Sequence, residues 1–153
     1  MSGPAEILFE LAYRDPTAAL GWLSHAFGFE TRIEVSDASG QLIYAESGAH
    51  GFMVGVIPES PPALVSPAGG GSSGTVHIRF PTGGVDIDGH FARARDAGAK
   101  VLIAPRQQFY GDLEYLCADP EGHLWNFGIR DAAPPGPPPD GITVRFPSGR
   151  PQE

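Results

Sequence analysis

The stretch "GTVHIRF", residues 74 to 80, places His77 and Arg79 two positions apart in a short apolar run. An imidazole titrates near neutrality, so His77 could act as a general base, contact a ligand, coordinate a metal or sit hydrogen-bonded in a polar pocket. The Arg79 guanidinium could meet an anionic or carbonyl oxygen. A second stretch, "ILFELAY" at 7–13, carries Leu8 and Glu10 with the same spacing. If both runs are strands, side chains two apart share a face, so Leu8 and Glu10 lie on one face, as do His77 and Arg79. Ile7, Phe9, Leu11, Ile78 and Phe80 then face the helices. Glu10 could orient His77 or move a proton, which makes His77 and Glu10 the candidate catalytic pair. Equally, Glu10 and Arg79 could form an ion pair across the junction of the two halves.

Other residues extend this set. Asn126 alternates with Trp125 and Phe127 in "HLWNFG", so two core aromatics would turn the amide toward a ligand or a local backbone group. Phe109 and Tyr110 precede the turn at Gly111-Asp112 and could stack on a planar ligand at a pocket mouth, although the glycine also suits a plain turn. Leu8, Met53 and Leu124 would supply apolar burial. Trp22 reads as core or as a contact between subunits. His25, His50, His90 and His123 have no partners at metal-ligand spacing and read as surface or capping residues. "GGGSSG" lacks the lysine and following helix of a phosphate-binding loop. Cys117 has no basic neighbour to activate its thiol.

These residues must be positioned by a chain of 153 residues, enough for one domain with a substantial core. The formal charge of −8, from 18 acidic and 10 basic residues, argues against a nucleic-acid partner. One cysteine rules out an internal disulfide, and no apolar run approaches the roughly 18 residues of a membrane span. With Glu6 and Glu10 interrupting the N-terminal apolar segment, a cytoplasmic protein without a membrane partner is expected.

The chain repeats its signals in order. A strand at 7–13 leads through Asp15-Pro16, an N-cap and first-turn proline, into a helix that runs to Phe27 and stops at Gly28. Strands are expected near 29–36, 41–47 and 51–57. In the second half the strand at 75–81 precedes a helix at 86–97, stopped by Gly98, and strands near 100–105, 113–118 and 123–129. Gly28 matches Gly98 with an offset of 70, and "GFMVGV" matches "GHLWNF" with an offset of 71. The expected fold is α+β: two β-α-β-β-β modules forming a curved mixed sheet around a concave pocket, helices outside. The domain is 1–131, with module one at 7–57, a linker at 58–74 and module two at 75–130. A proline-rich tail occupies 132–153 and reads as flexible, although "ITVRF" has strand character that could pair with a sheet edge.

The duplicated order, the passage "HFARARDAGAKV" and above all "YGDLEYLCADPEGHLWNFG" at 110–128 resemble the vicinal oxygen chelate superfamily, over about residues 7 to 130. That group includes glyoxalase I, extradiol dioxygenases, fosfomycin-resistance transferases and bleomycin-binding proteins. Its metal-dependent members take ligands from the first and last strand of each module, positions that the resemblance places on Leu8, Gly55, His77 and Asn126. Only His77 is an ordinary ligand, so no metal or other cofactor is expected. The resemblance implies a homodimer and a small-molecule ligand in the concavity, held without metal in a glyoxalase-like or bleomycin-resistance-like manner. The alternative is a lyase or isomerase that moves a proton next to a carbonyl, with His77 or Glu10 as base and Arg79 steadying the oxyanion. A metal-dependent dioxygenase or glyoxalase would need ligands that these positions lack.

Overall fold

The computed structural model describes residues 3–150. Two four-stranded sheets follow one plan. Module one runs β1 (Phe9–Tyr13), α1 (Pro16–Phe27), β2 (Glu30–Ser36), β3 (Leu42–Ala49) and β4 (Phe52–Pro58), in sheet order β1-β4-β3-β2. Module two runs β5 (Thr75–Phe80), α2 (Ile87–Asp96), β6 (Lys100–Gln107), β7 (Leu113–Ala118) and β8 (Leu124–Ile129), in order β5-β8-β7-β6. In each, the first strand pairs in parallel with the last and the remaining pairs are antiparallel. The 58–74 segment carries a short 3-10 turn at Pro67–Gly69.

Local chemistry accounts for the helix limits. The Asp15 side chain accepts from the Ala18 N–H at 3.0 Å, Pro16 begins α1, and Gly28 ends it in the left-handed region at φ 71°. Strand alternation then sorts the faces. Leu11, Tyr13, Val54, Val56, Tyr115, Cys117, Trp125 and Phe127 are buried with the apolar sides of the helices in one core. Phe9 departs from the sequence expectation: its Cα alternates with the core set, yet it is 54 % exposed, and Ile7 is 90 % exposed. Phe9 opens the first strand and Ile7 lies before it, since the strand begins at Phe9 rather than residue 7.

The register also corrects the repeat offset. Glu10 pairs with Gly55 and Arg79 with Gly128, so Gly55 corresponds to Gly128, 73 residues on, and not to Asn126. An even slip keeps each side chain on its expected face.

The modules are joined by a buried polar lock at the turn after β7. The Asp119 carboxylate accepts from the Tyr13 hydroxyl at 2.6 Å and the Trp125 indole N–H at 3.1 Å, and from the backbone N–H groups of Glu121, Gly122 and His123. Glu121 accepts from the Arg14 and Asp15 N–H groups and from the Ser66 hydroxyl. His123, expected at the surface, is 8 % exposed and its Nε2 lies 2.7 Å from the Ala12 carbonyl. Trp22 donates to the Ala97 carbonyl at 2.9 Å, a contact between modules of the same chain. Arg93 donates to the Ser24 and His25 carbonyls at the end of α1.

His90 is also internal rather than a capping residue. Its ring packs on Phe127 at 4.4 Å, and its Nδ1 lies 2.5 Å from the Tyr115 hydroxyl. Burial, with repulsion from His50 and Arg93, pushes the imidazole down to about 4. Burial likewise raises Tyr115, so the phenol donates and the neutral ring accepts.

Two outcomes are expected. Tyr13→Phe costs about 1 kcal/mol and Asp119→Asn about 2–4 kcal/mol in denaturant unfolding, because the second change leaves several buried donors poorly matched. As pH falls from about 6.5 to about 4, the unfolded chain protonates His90 before the folded one does. The folded state therefore loses about 1–3 kcal/mol across that window. His90→Asn removes this part of the pH dependence; equal slopes for both proteins would show that His90 is not its source.

Candidate functional site

The core aromatics dictate which side chains line the opposite face of module two. With Trp125, Phe127, Tyr115 and Cys117 inside, the alternating residues Leu124, Asn126, Glu114 and Leu116 point away from the helices. Pairing across the four strands forms two rows: Arg79, Gly128, Glu114 and Arg106, then His77, Asn126, Leu116 and Ile103. Gly128 is required for this approach, since a Cβ there would lie 3.0 Å from Glu114 Cβ. The same relation recurs in module one, where a Cβ on Gly55 would lie 2.8 Å from Glu10 Cγ.

Arg79 does not pair with Glu10. It grips Asp112 instead, Nε to Oδ2 at 2.6 Å and Nη2 to Oδ1 at 3.0 Å, in a bidentate bond to a carboxylate with no exposed surface. The Asp131 N–H also donates to Asp112. Burial pushes the Asp112 carboxyl up, but the Arg79 and Asp131 hydrogen bonds outweigh it and hold the pKa below the ordinary value. The Arg79 pKa is raised in return. The pair anchors the turn between β6 and β7 to β5, and so positions Phe109 and Tyr110, whose rings meet edge-on at 5.3 Å. The Tyr110 hydroxyl donates to Glu114 Oε1 at 2.6 Å.

The other Glu114 oxygen is unmatched. The residue is 8 % exposed, and among the described residues Oε2 has no hydrogen-bond partner. His77 Nε2 stands 3.4 Å away, within ion-pair reach but too distant or misaligned for a hydrogen bond. Asn126 Oδ1 is a second buried acceptor without a partner among the described residues. Sequence reasoning singled out His77, Arg79, Tyr110 and Asn126, which the fold gathers on this face or at its edge. It missed Asp112 as the Arg79 partner, and Glu114 altogether. The available signal for Glu114 was a carboxylate inside the otherwise apolar "LEYLC".

Glu10 belongs to module one, where its row contains Gly55, Glu46 and Ile33. Among the described residues no hydrogen bond or ion pair links it to His77 or Arg79. Glu10 and Leu124 border a cavity of about 470 Å3 whose outer wall is formed by residues of the 63–74 segment. Leu8 and Met53 are half-buried. In module one Glu46 is fully engaged: Arg32 donates through Nε at 3.0 Å and Nη2 at 2.5 Å, and Tyr44 donates at 2.7 Å. Each module thus carries a Tyr hydrogen bond to the glutamate of its third strand, from Tyr44 on the same strand in the first, where an arginine closes it, and from Tyr110 in the preceding turn in the second, where no arginine does.

The positions that hold the metal in metal-dependent members offer few donors here. Leu8, Gly55 and Asn126 supply neither imidazole nor carboxylate, and the corrected register adds only Met53 opposite them. Among the described residues no group of three or more His, Cys, Asp or Glu side chains is placed to hold a metal ion. These residues do not fit a tightly held divalent cation. Cys117 is fully buried, which pushes its thiol up to about 12 and leaves it unsuited to nucleophilic chemistry. No helix among the described residues is long and apolar enough to cross a membrane.

Comparison with known proteins agrees with this architecture. The structure of TioX from Micromonospora is similar at a TM-score of 0.66 and 34 % identity, covering 83 % of this chain and 99 % of that one. TnmS3, an antibiotic binding protein from Streptomyces, matches at 0.64 and 17 % identity, with 85 % and 98 % covered, a likeness of fold alone. An uncharacterized protein of Mycobacterium bovis is 31 % identical over 123 residues, 77 % of this chain and 78 % of that protein. The family model that matches residues 7–127 is the Glyoxalase/Bleomycin resistance protein/Dioxygenase superfamily. With its duplicated modules, and with that match spanning both, the chain belongs to this superfamily.

Proposed function

We propose that the protein binds a small organic molecule, without metal, against the open face of module two, in the manner of the glyoxalase-like and bleomycin-resistance-like members. The observation that carries this reading is the convergence of His77, Asn126 and Glu114 on a face backed by a rigid aromatic core, with polar capacity left over. Leu124 contributes apolar area from β8, Leu8 and Met53 of module one would add to it only from across the concavity between the modules, and Phe109 and Tyr110 form the edge that Arg79 and Asp112 hold in place. Support also comes from the likeness to TioX and from the description of TnmS3 as antibiotic-binding. The protein works as a cytoplasmic homodimer in this proposal. Ile33, Val35, Leu102 and Ile103, exposed on the outer strands β2 and β6, are apolar surface that a second subunit would cover.

A second reading has its own observation. A histidine 3.4 Å from a buried glutamate is a base beside a group that can orient it, as a lyase or isomerase moving a proton next to a carbonyl would require. In that case His77 or Glu10 takes the proton, and the N–H groups of Arg79 that Asp112 leaves unused face the developing charge.

Native mass spectrometry of the freshly purified protein should show a metal-free dimer, with any co-purified organic molecule revealed by its mass. About one metal per subunit would overturn the metal-free proposal. With a ligand in hand, His77→Ala should weaken binding about 2- to 12-fold in calorimetry, the loss of one hydrogen bond of about 0.5–1.5 kcal/mol. Turnover that collapses while affinity holds would replace the receptor with the enzyme.

A further inference from the structure

We infer that the part of the ligand seated between His77, Glu114 and Asn126 is a hydrogen-bond donor, an N–H or O–H group such as an amidine, amine or amide nitrogen, and not a carboxylate, phosphate or other anion. The inference rests on the binding site proposed above and names the chemistry it takes.

Arg79, one of the two cations that end the Glu114 row on that face, has two of its N–H groups committed to Asp112, whose negative charge balances it. An anion arriving there would meet the Asp112 carboxylate behind the guanidinium. Arg106 ends the same row on the exposed outer strand and forms no ion pair with Glu114 among the described residues. The unmatched groups that are buried on this face are acceptors. Glu114 Oε2 and Asn126 Oδ1 are both buried, and neither has a hydrogen-bond partner among the described residues. Glu114 Oε1 is already taken by the Tyr110 hydroxyl, so the carboxylate is held in place with its second oxygen unmatched.

A buried acceptor left unmatched is costly, and a ligand donor that reaches it recovers that cost. An anionic ligand would add repulsion at Glu114 and leave both acceptors unmatched. Module one supplies the contrast: there Arg32 and Tyr44 satisfy both oxygens of Glu46, and no acceptor capacity remains on that glutamate. The Asn126 amide is assigned with its oxygen unmatched. The Glu114 oxygen does not depend on that assignment, since either carboxylate oxygen is an acceptor.

Benzamidinium and benzoate test this, being planar fragments of nearly equal shape that present donors or acceptors. Both are titrated into the isotope-labelled full-length protein in the presence of EDTA, and backbone amide resonances are followed. Benzamidinium is expected to shift the resonances of His77, Glu114 and Asn126 at concentrations where benzoate leaves them in place. Glu114→Gln should weaken benzamidinium binding about tenfold through loss of the charge-assisted bond. Asn126→Asp should tighten it, an effect that a merely disrupted fold would not produce. If benzoate binds at these residues as tightly as benzamidinium, the donor assignment is wrong while the site stands. If neither fragment moves this face, the site and the donor assignment fall together.

Discussion

The Asp119 carboxylate takes a phenol from module one and an indole from module two, together with three backbone N–H groups of its own turn. By holding Trp125 inside, it fixes the phase of β8, and a strand whose phase is fixed has no freedom over its next residue. Asn126 is sent to the opposite face for that reason. The aromatic cluster of Phe27, Trp125 and Phe127 then packs the helix of one module on the strand of the other. Polar lock and apolar packing act together, since a buried carboxylate is tolerable only when its acceptor sites are filled.

From this follows a division of labour among charges. Arg79 and Asp112 neutralise each other and set the shape of the β6–β7 turn. Glu114 is bonded once by Tyr110 and left with one buried oxygen unmatched among the described residues. The folding of the protein has already met the cost of its desolvation. The rigidity of the strands below keeps its position from depending on loop conformation.

Much of the fold was legible in local chemistry. Asp15, Pro16 and Gly28 delimit the first helix through their own backbone preferences, and the period-two alternation around Trp125 and Phe127 identified the face of Asn126. The superfamily followed from the repeat and from the 110–128 passage. What stayed hidden were partnerships across long sequence separations. Arg79 was expected opposite Glu10 because the two are repeat equivalents, yet its partner lies 33 residues away in a turn whose course the tertiary fold decides. His90 and His123 have polar side chains and helix or turn positions, so their burial depends on what the other elements bring to them. The repeat offset slipped by two because the last strands of the modules begin at different points relative to their turns. The exposure of Phe9 had no local signal either, since it depends on where the core ends.

The two Glu–Tyr pairs give the molecule a built-in reference. Tyr44 donates to Glu46, whose other oxygen Arg32 holds, and Tyr110 donates to Glu114, whose other oxygen has no hydrogen-bond partner among the described residues. A difference between the two phenol signals within one polypeptide therefore compares a glutamate with both oxygens bonded and one with a single oxygen bonded. Duplication has left the chain two versions of one hydrogen bond, the first closed by an arginine and the second not.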